Sequence, residues 1–444
     1  MKKHQAPSAS RGVPAVLVLL GLYGCQELLP VVESPDLVKS GFAIELVLPF
    51  DEFAAGARVY GGYGRASDLV GGFVAHEFGA QREGGQGLEA ATLMRFGRYP
   101  RVVQVLDTTG TLRPDSSLTF LGGHIVARFD TIASVHDGPV EIVAHALTES
   151  WDGISATWEY AVDTIGHRVA WSRLGGGVVE DIASVEWDPE TGDSIRIQVD
   201  SARIAAWADT TDMGRGVRLT TTTPGVRLRI ASSFIRLDTR PSLNPDTILQ
   251  VPSGLDLTTF IYAPVPSQPR KTLRVGGAPA WRTVLELDVP GVLDGPEELC
   301  DAVGCPVEIT EEHVSFAALR LTTRVGARAF SPSDTLSVDL RSVMAPDFLP
   351  KSPLGPSRLG FAGKLAPHGL FEPPAGEVLE LVVTSLVRDL LRGETQGGDP
   401  IGDWVALLST IEPISVEYLT FEGAASPDAP ALRLILNFSR DDEE

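Results

Sequence analysis

Apolar and polar residues alternate with a period of two through much of this chain, and β-branched residues gather in the alternating stretches. Successive side chains of a strand point to opposite faces, so this pattern predicts strands lying on a sheet with one face buried. It marks 42–48, 118–128, 140–146, 194–199, 216–229, 282–288, 314–323, 336–340, 377–383 and 431–438. The 45 Gly and 32 Pro are spread between these stretches and predict frequent turns. Helical periodicity survives only at 201–208 and 384–392, each directly after a strand. The expected fold class is all-β: two tandem jelly-roll-like β-sandwich modules with short helices.

The two helix positions reveal a weak internal repeat. Ser194 to Ser201 runs into Ala202–Trp207 as Glu377 to Thr384 runs into Ser385–Leu390, with Asp200-Ser201 and Val383-Thr384 in equivalent places. A Ser or Thr at such a junction suits an N-cap, its hydroxyl accepting from an otherwise unpaired N–H. Upstream, Leu93–Pro100 parallels Val284–Pro290, and Ser117–Arg128 parallels Val314–Leu321. Four segments in the same order predict homologous modules at 67–240 and 246–440, joined near Arg240–Pro245. Residues 25–66 form an N-terminal segment whose 42–48 strand is expected to pair with the first module.

Length agrees with this division. A single core seldom grows beyond about 250–300 residues, and the chain has 444. Its formal charge is −21, more negative still once Lys2, Lys3 and Arg11 are removed with the leader described next. Such a chain is repelled by phosphate backbones, and no Lys/Arg cluster stands out to overcome that, so nucleic acid is set aside as a partner.

The first 24 residues follow the order of an export signal. Lys2, Lys3 and Arg11 give a positive start without acids, and an apolar run from Val13 to Tyr23 follows. That run is about half the ~20 residues needed to span a bilayer. It ends in Leu22-Tyr23-Gly24-Cys25, which resembles the lipobox of bacterial lipoproteins. The resemblance implies cleavage of the 1–24 signal peptide, a diacylglyceryl thioether on Cys25, and acylation of the new terminus. Each buried CH₂ contributes about 0.8 kcal/mol, so two or three acyl chains hold a protein where one does not. A plain secretory peptide with a chance cysteine is the alternative. Gln26, rather than Asp, follows the cysteine, which under the enterobacterial sorting rule points to the outer membrane, at its periplasmic face or the cell surface.

Cys300 and Cys305 remain as an even pair, and outside the cytoplasm they are expected to form a disulfide. A metal site is the other reading, but two thiols without a nearby His supply half a tetrahedral shell.

The same segments, read in order, resemble the DNRLRE-type domain, a β-sandwich family of exported bacterial proteins related to the disaggregatase repeat and to some carbohydrate-binding modules. Trp281-Arg282-Thr283-Val284-Leu285-Glu286-Leu287-Asp288 fits its opening strand, and Ala318-Leu319-Arg320-Leu321 its next. Thr148-Glu149-Ser150-Trp151-Asp152 with Thr157-Trp158 repeats its tryptophan segment, and Pro430 to Leu434 its closing strand. The first module lacks a clean opening strand and the second lacks the tryptophan segment, so no module carries every piece.

Candidate chemistry is sparse. Five of the seven Trp lie at 151, 158, 171, 187 and 207. They read either as core packing or as an aromatic platform for sugar rings. Trp171 and Trp187 are the ligand-binding candidates, because they neighbour loop-like Gly175–Gly177 and Asp188–Gly192, and loops on a rigid sandwich often carry binding residues. Asp181, Glu186, Asp188, Glu190 and Asp193 could offer oxygens to Ca²⁺ but lack EF-hand spacing, and an acidic chain carries such solvated clusters anyway. No zinc-type His pair and no serine elbow is present. Gly85-Gln86-Gly87-Leu88-Glu89-Ala90 matches a dinucleotide fingerprint in letters only, without the strand before it. No cofactor or catalytic residue is assigned. The expectation is a lipid-anchored envelope protein with a structural or adhesive role, whose partners are the membrane and either other envelope proteins or polysaccharide. A polysaccharide-binding module is the alternative, and an envelope hydrolase with two spatially paired carboxylates a third.

Overall fold

In each half of the chain a strand that runs into a short helix is hydrogen-bonded to the same kind of neighbour. Ser194–Val199 pairs antiparallel with Leu118–Val135, and Val378–Val382 with Val314–Arg324. On its other side, each of these long strands pairs with the last strand of its half, Val226–Pro241 or Ala431–Ser439. The facing layer also matches. Val140–Leu147, Val217–Thr221 and Leu88–Phe96 are neighbours in the first half, as Leu336–Val343, Trp404–Ser409 and Arg282–Leu287 are in the second. The chain is therefore built from two β-sandwich modules of one topology, which accords with the order of segments in the sequence.

The computed structural model describes residues 41–61, 67–68, 71–79, 87–164, 166–253, 255–267, 269–277, 281–349, 352–360, 363–409 and 415–439. The expected signal peptide (residues 1–24), Cys25 and Gln26 lie outside them. Ala43–Phe438 form one compact unit.

Period-two patterning produces these strands. In Ser194–Val199 every second residue is buried, so Ile195, Ile197 and Val199 face inward while Ser194, Arg196 and Gln198 face water. They join Ile125, Ala127, Ile142, Leu219, Leu228 and Ile235 in the first core. Gly72–Phe78 pairs with both Leu88–Phe96 and Val226–Pro241, which makes the two layers of the first module one continuous, curled sheet. In the second module the layers are separate sheets. Leu287, Leu340 and Val405 from one meet Leu319 and Leu432 from the other.

Both expected helices form, at Ser201–Trp207 and Thr384–Arg392. Their caps differ from the expectation. The Asp200 carboxylate, not the Ser201 hydroxyl, accepts from the Arg203 N–H at 2.8 Å. Thr384 does not cap its helix; its hydroxyl accepts from the Ala317 N–H at 2.9 Å and ties the helix start to the neighbouring strand.

Three further expectations change. The 216–229 stretch is two strands, Val217–Thr221 and Val226–Pro241. Between them Pro224 fixes φ and Gly225 takes φ +76°, which turns the chain back. Leu249–Ser253 and Leu255–Ala263, assigned by sequence to the second module, pair with Val226–Pro241 and Leu88–Phe96 of the first. Gly41–Leu48, expected on the first module, lies beside Ala431–Ser439 of the second. Its Glu45 carboxylate there receives Arg433 Nε at 2.8 Å and Nη2 at 3.2 Å.

Candidate functional site

The two tryptophans expected to meet a ligand are turned into cores. Trp187 ends the Val179–Trp187 strand and is 1% exposed. Its ring lies 4.6 Å from that of Phe129, and its indole N–H donates to the Gly192 carbonyl at 2.9 Å. The Asp188–Gly192 turn thus folds back and satisfies the one polar atom of a ring committed to the core. Trp171 is 5% exposed and packs with Leu147, Trp151 and Ala161. Its N–H donates to the Thr157 carbonyl at 2.9 Å. Trp151 and Trp207 are also buried, and Trp158 is half-buried. Neither Trp171 nor Trp187 presents a flat face to a sugar, and packing is what the structure assigns to both.

The glycine loop beside Trp171 is held from below. Gly175, Gly176 and Gly177 adopt φ of +82°, +111° and +78°. Glu149 accepts from the Ser172 N–H at 3.0 Å, the Val178 N–H at 2.6 Å and the Ser172 hydroxyl. Burial alone would raise the Glu149 pKa, but these three donors together hold it below the usual carboxylate range. A Cβ at position 177 would run into the Glu149 carboxylate, so glycine is required there by contact as well as by φ. Sequence reasoning missed this clamp, because Glu149 looked like one letter of the tryptophan segment.

The acidic residues of the first module are dispersed. Asp193 pairs with Arg128, and Asp181 with His145 at 2.9 Å. Asp188 accepts from the Glu190 N–H at 2.9 Å within its own turn. Among the described residues no group of three or more His, Cys, Asp or Glu is placed to hold a metal ion. Histidines are likewise engaged singly. His76 Nδ1 is 3.0 Å from Glu89, and His124 is buried with its pKa pushed down by desolvation. The part of the glycine fingerprint that is described, from Gly87 onward, leads into a strand rather than a helix. Cys300, in the short Glu297–Val303 helix, is bonded to Cys305 with their Cα atoms 4.9 Å apart.

A buried ion pair was not foreseen. Arg227, from the first module's last strand, places Nη2 2.7 Å from Glu417 Oε1 of the second module. Burial pulls the Arg227 pKa down while the Glu417 charge opposes that shift. Ser333 donates its N–H and hydroxyl to the same carboxylate at 3.2 and 2.6 Å. Arg227 Nη1 donates to the Ser331 carbonyl at 3.2 Å, and the guanidinium carbon lies 5.0 Å from the centre of the Phe78 ring. Around it Phe73, Phe78, Phe260 and Tyr262 share a core with Trp281, Phe330 and Tyr418. The pair is a structural joint: its charges are spent on each other and on neighbouring hydrogen bonds.

What the body offers to solvent is open grooves. One lies between Leu46–Glu52 and Pro290–Pro296. Another has Tyr99 and Phe120 in its wall, their rings 5.1 Å apart, with Arg98 and Arg101 exposed at its rim. The Tyr99 hydroxyl donates to the Ile204 carbonyl at 3.1 Å, and burial raises its pKa well above the usual phenol value. Among the described residues no helix is long and apolar enough to cross a membrane.

No family model matches the chain, and no curated protein matches it. Among solved structures, it is similar to the N-terminal CBM22-1–CBM22-2 tandem domain from Paenibacillus barcinonensis Xyn10C. The identity is 9% and the TM-score 0.15, over 91% of this chain and 99% of that one. It is also similar to the Macrobrachium rosenbergii nodavirus structure, at 9% identity and a TM-score of 0.11, over 98% of this chain and 99% of that one. At such TM-scores neither likeness carries an argument about fold or function.

Proposed function

We propose that this chain is a lipid-anchored cell-envelope lipoprotein whose paired β-sandwiches, of the DNRLRE type, serve a non-catalytic structural or adhesive role. The anchor rests on Leu22-Tyr23-Gly24-Cys25. The observation that carries the non-catalytic part is how the candidate groups are used: Trp171 and Trp187 fill cores, Glu149 clamps a loop, and Arg227 and Glu417 neutralise each other. Groups poised for chemistry are instead left with a free reactive edge in a cleft, whereas the Tyr99 hydroxyl, although its pKa is raised, is held on the Ile204 carbonyl. In-cell crosslinking and gene deletion test the reading. It expects an envelope protein captured by crosslinking, together with weakened envelope integrity or surface attachment in the deletion strain. A strain and a crosslinking profile both unchanged would overturn it.

A second reading, polysaccharide binding, is favoured by one observation, the Tyr99–Phe120 groove with Arg98 and Arg101 at its rim. Aromatic faces suit sugar C–H groups and guanidinium forks suit carboxylate-bearing sugars. Affinity electrophoresis with acidic and neutral polysaccharides separates the readings. Retardation by an acidic polymer, abolished in Arg98→Ala/Arg101→Ala, would establish this one; no retardation by any polymer would remove it.

A further inference from the structure

Two pairs of strands sit in the half of the fold to which their place in the chain does not assign them. Gly41–Leu48 and Ala54–Tyr60 precede the first module, yet they pair with Ala431–Ser439 and Arg282–Leu287 of the second. Leu249–Ser253 and Leu255–Ala263 precede the rest of the second module, yet they pair with Val226–Pro241 and Leu88–Phe96 of the first. The four pairings are equivalent. In each pair the earlier strand extends a module's last strand, and the later one covers the first strand of its facing layer. The registers agree as well. Gly56 faces Glu286, and Leu257 faces Arg95. Glu286 and Arg95 hold corresponding places in Val284-Leu285-Glu286-Leu287 and Leu93-Met94-Arg95-Phe96.

We infer that residues 41–241 and 249–439 are two copies of one repeat that have exchanged their leading strand pairs, so that the fold is a strand-exchanged dimer contained in a single chain. Exchange of identical elements is a common way for two copies of a unit to associate. Here each lent pair brings apolar side chains as well as backbone hydrogen bonds. Phe53, between the first two lent strands, is 1% exposed and sits with Leu319, Leu340 and Val405 inside the second module. Phe260, from the other pair, packs 5.4 Å from Phe73 of the first. Without its lent pair each module would present two unpaired strand edges, which invite non-native pairing. Joining both copies in one chain makes each exchange intramolecular, at a high effective concentration. The leading strands therefore act as a clasp: neither module closes unless the other half is present, and the residues nearest the anchor lock the module farthest from it in sequence.

Amide hydrogen exchange on the full chain tests this with Ala57→Pro, which removes a donor from the Ala54–Tyr60 strand. The expected result is loss of protection in Arg282–Leu287 and Trp404–Ser409, with Leu88–Phe96 and Val217–Thr221 unchanged. Loss confined to Leu88–Phe96 and Val217–Thr221 would overturn the exchange. If Ala57→Pro fails to fold, the full-length double variant Gly56→Cys/Glu286→Cys decides, since a Cβ at Gly56 meets open space. An intramolecular link between positions 56 and 286 by a short bis-maleimide, read by peptide mass, is expected. Its absence, or a link formed instead in Gly56→Cys/Arg95→Cys, would overturn the inference.

Discussion

Arg227 and Glu417 meet at 2.7 Å with side chains 2% and 4% exposed, one from each module. Two charges this deep are tolerated because each neutralises the other and Ser333 donates twice to the carboxylate, which leaves Arg227 Nε as a buried donor without a hydrogen-bond partner among the described residues. Glu417→Ala is expected to lower stability by about 3–5 kcal/mol, since it strands a buried guanidinium. Arg227→Met/Glu417→Leu should recover most of that loss. Denaturant unfolding of Arg227→Met, Glu417→Leu and the double variant gives the coupling; additive losses would contradict the joint.

Acid should release the Glu149 clamp. Its folded pKa is held below the ordinary value, so its contribution is fully present above the unfolded carboxylate pKa and disappears as pH falls through the lower folded value. Tryptophan fluorescence, to which Trp171 beside the clamp contributes, should change over that acid range. Glu149→Gln should remove this step and cost on the order of 1 kcal/mol at neutral pH. An identical acid limb in the variant would contradict the assignment.

The hydroxyl residues at the two helix starts should respond differently to substitution. Asp200→Ala should cost about 1 kcal/mol, the usual value of a lost N-cap, while Ser201→Ala should change little. Thr384→Val should also cost about 1 kcal/mol, through the bond to the Ala317 N–H rather than through capping. Thermal unfolding of the three variants measures this directly.

The disulfide closes a loop between residues only five apart in sequence. Loop-closure entropy then limits its contribution to about 2 kcal/mol. Cys300→Ser/Cys305→Ser should therefore fold, with a modest drop in denaturant midpoint, and local exchange should rise around Glu297–Val303. A global collapse on reduction would show that the bridge does more than pin this loop.

Local patterning made much of the fold legible. Ser194–Val199 has the bounds its alternation predicts, and Thr384–Arg392 those of its helical period, because burial on one face decides both. The turn at Pro224-Gly225 was also written in the letters, although β-branched residues on both sides masked it. Long-range pairing was not legible. Nothing in Gly41–Leu48 or Leu255–Ala263 states which sheet edge it covers, since any exposed edge offers the same backbone donors and acceptors. The tryptophans failed for a related reason. Loop neighbours suggested exposure at Trp187, but a turn can fold back on a buried ring, as the Gly192 carbonyl does here. Arg227 and Glu417 gave no sign as single charges within strands, because their meaning depends on a partner far away in the chain.

We propose that lipid on Cys25 tethers this body to a membrane. Labelled palmitate supplied to bacterial cells expressing the full chain, followed by membrane fractionation, tests it most directly. The account predicts label on the protein and recovery in the membrane fraction, both lost in Cys25→Ala. Label retained by Cys25→Ala, or absent from the unaltered protein, would contradict it.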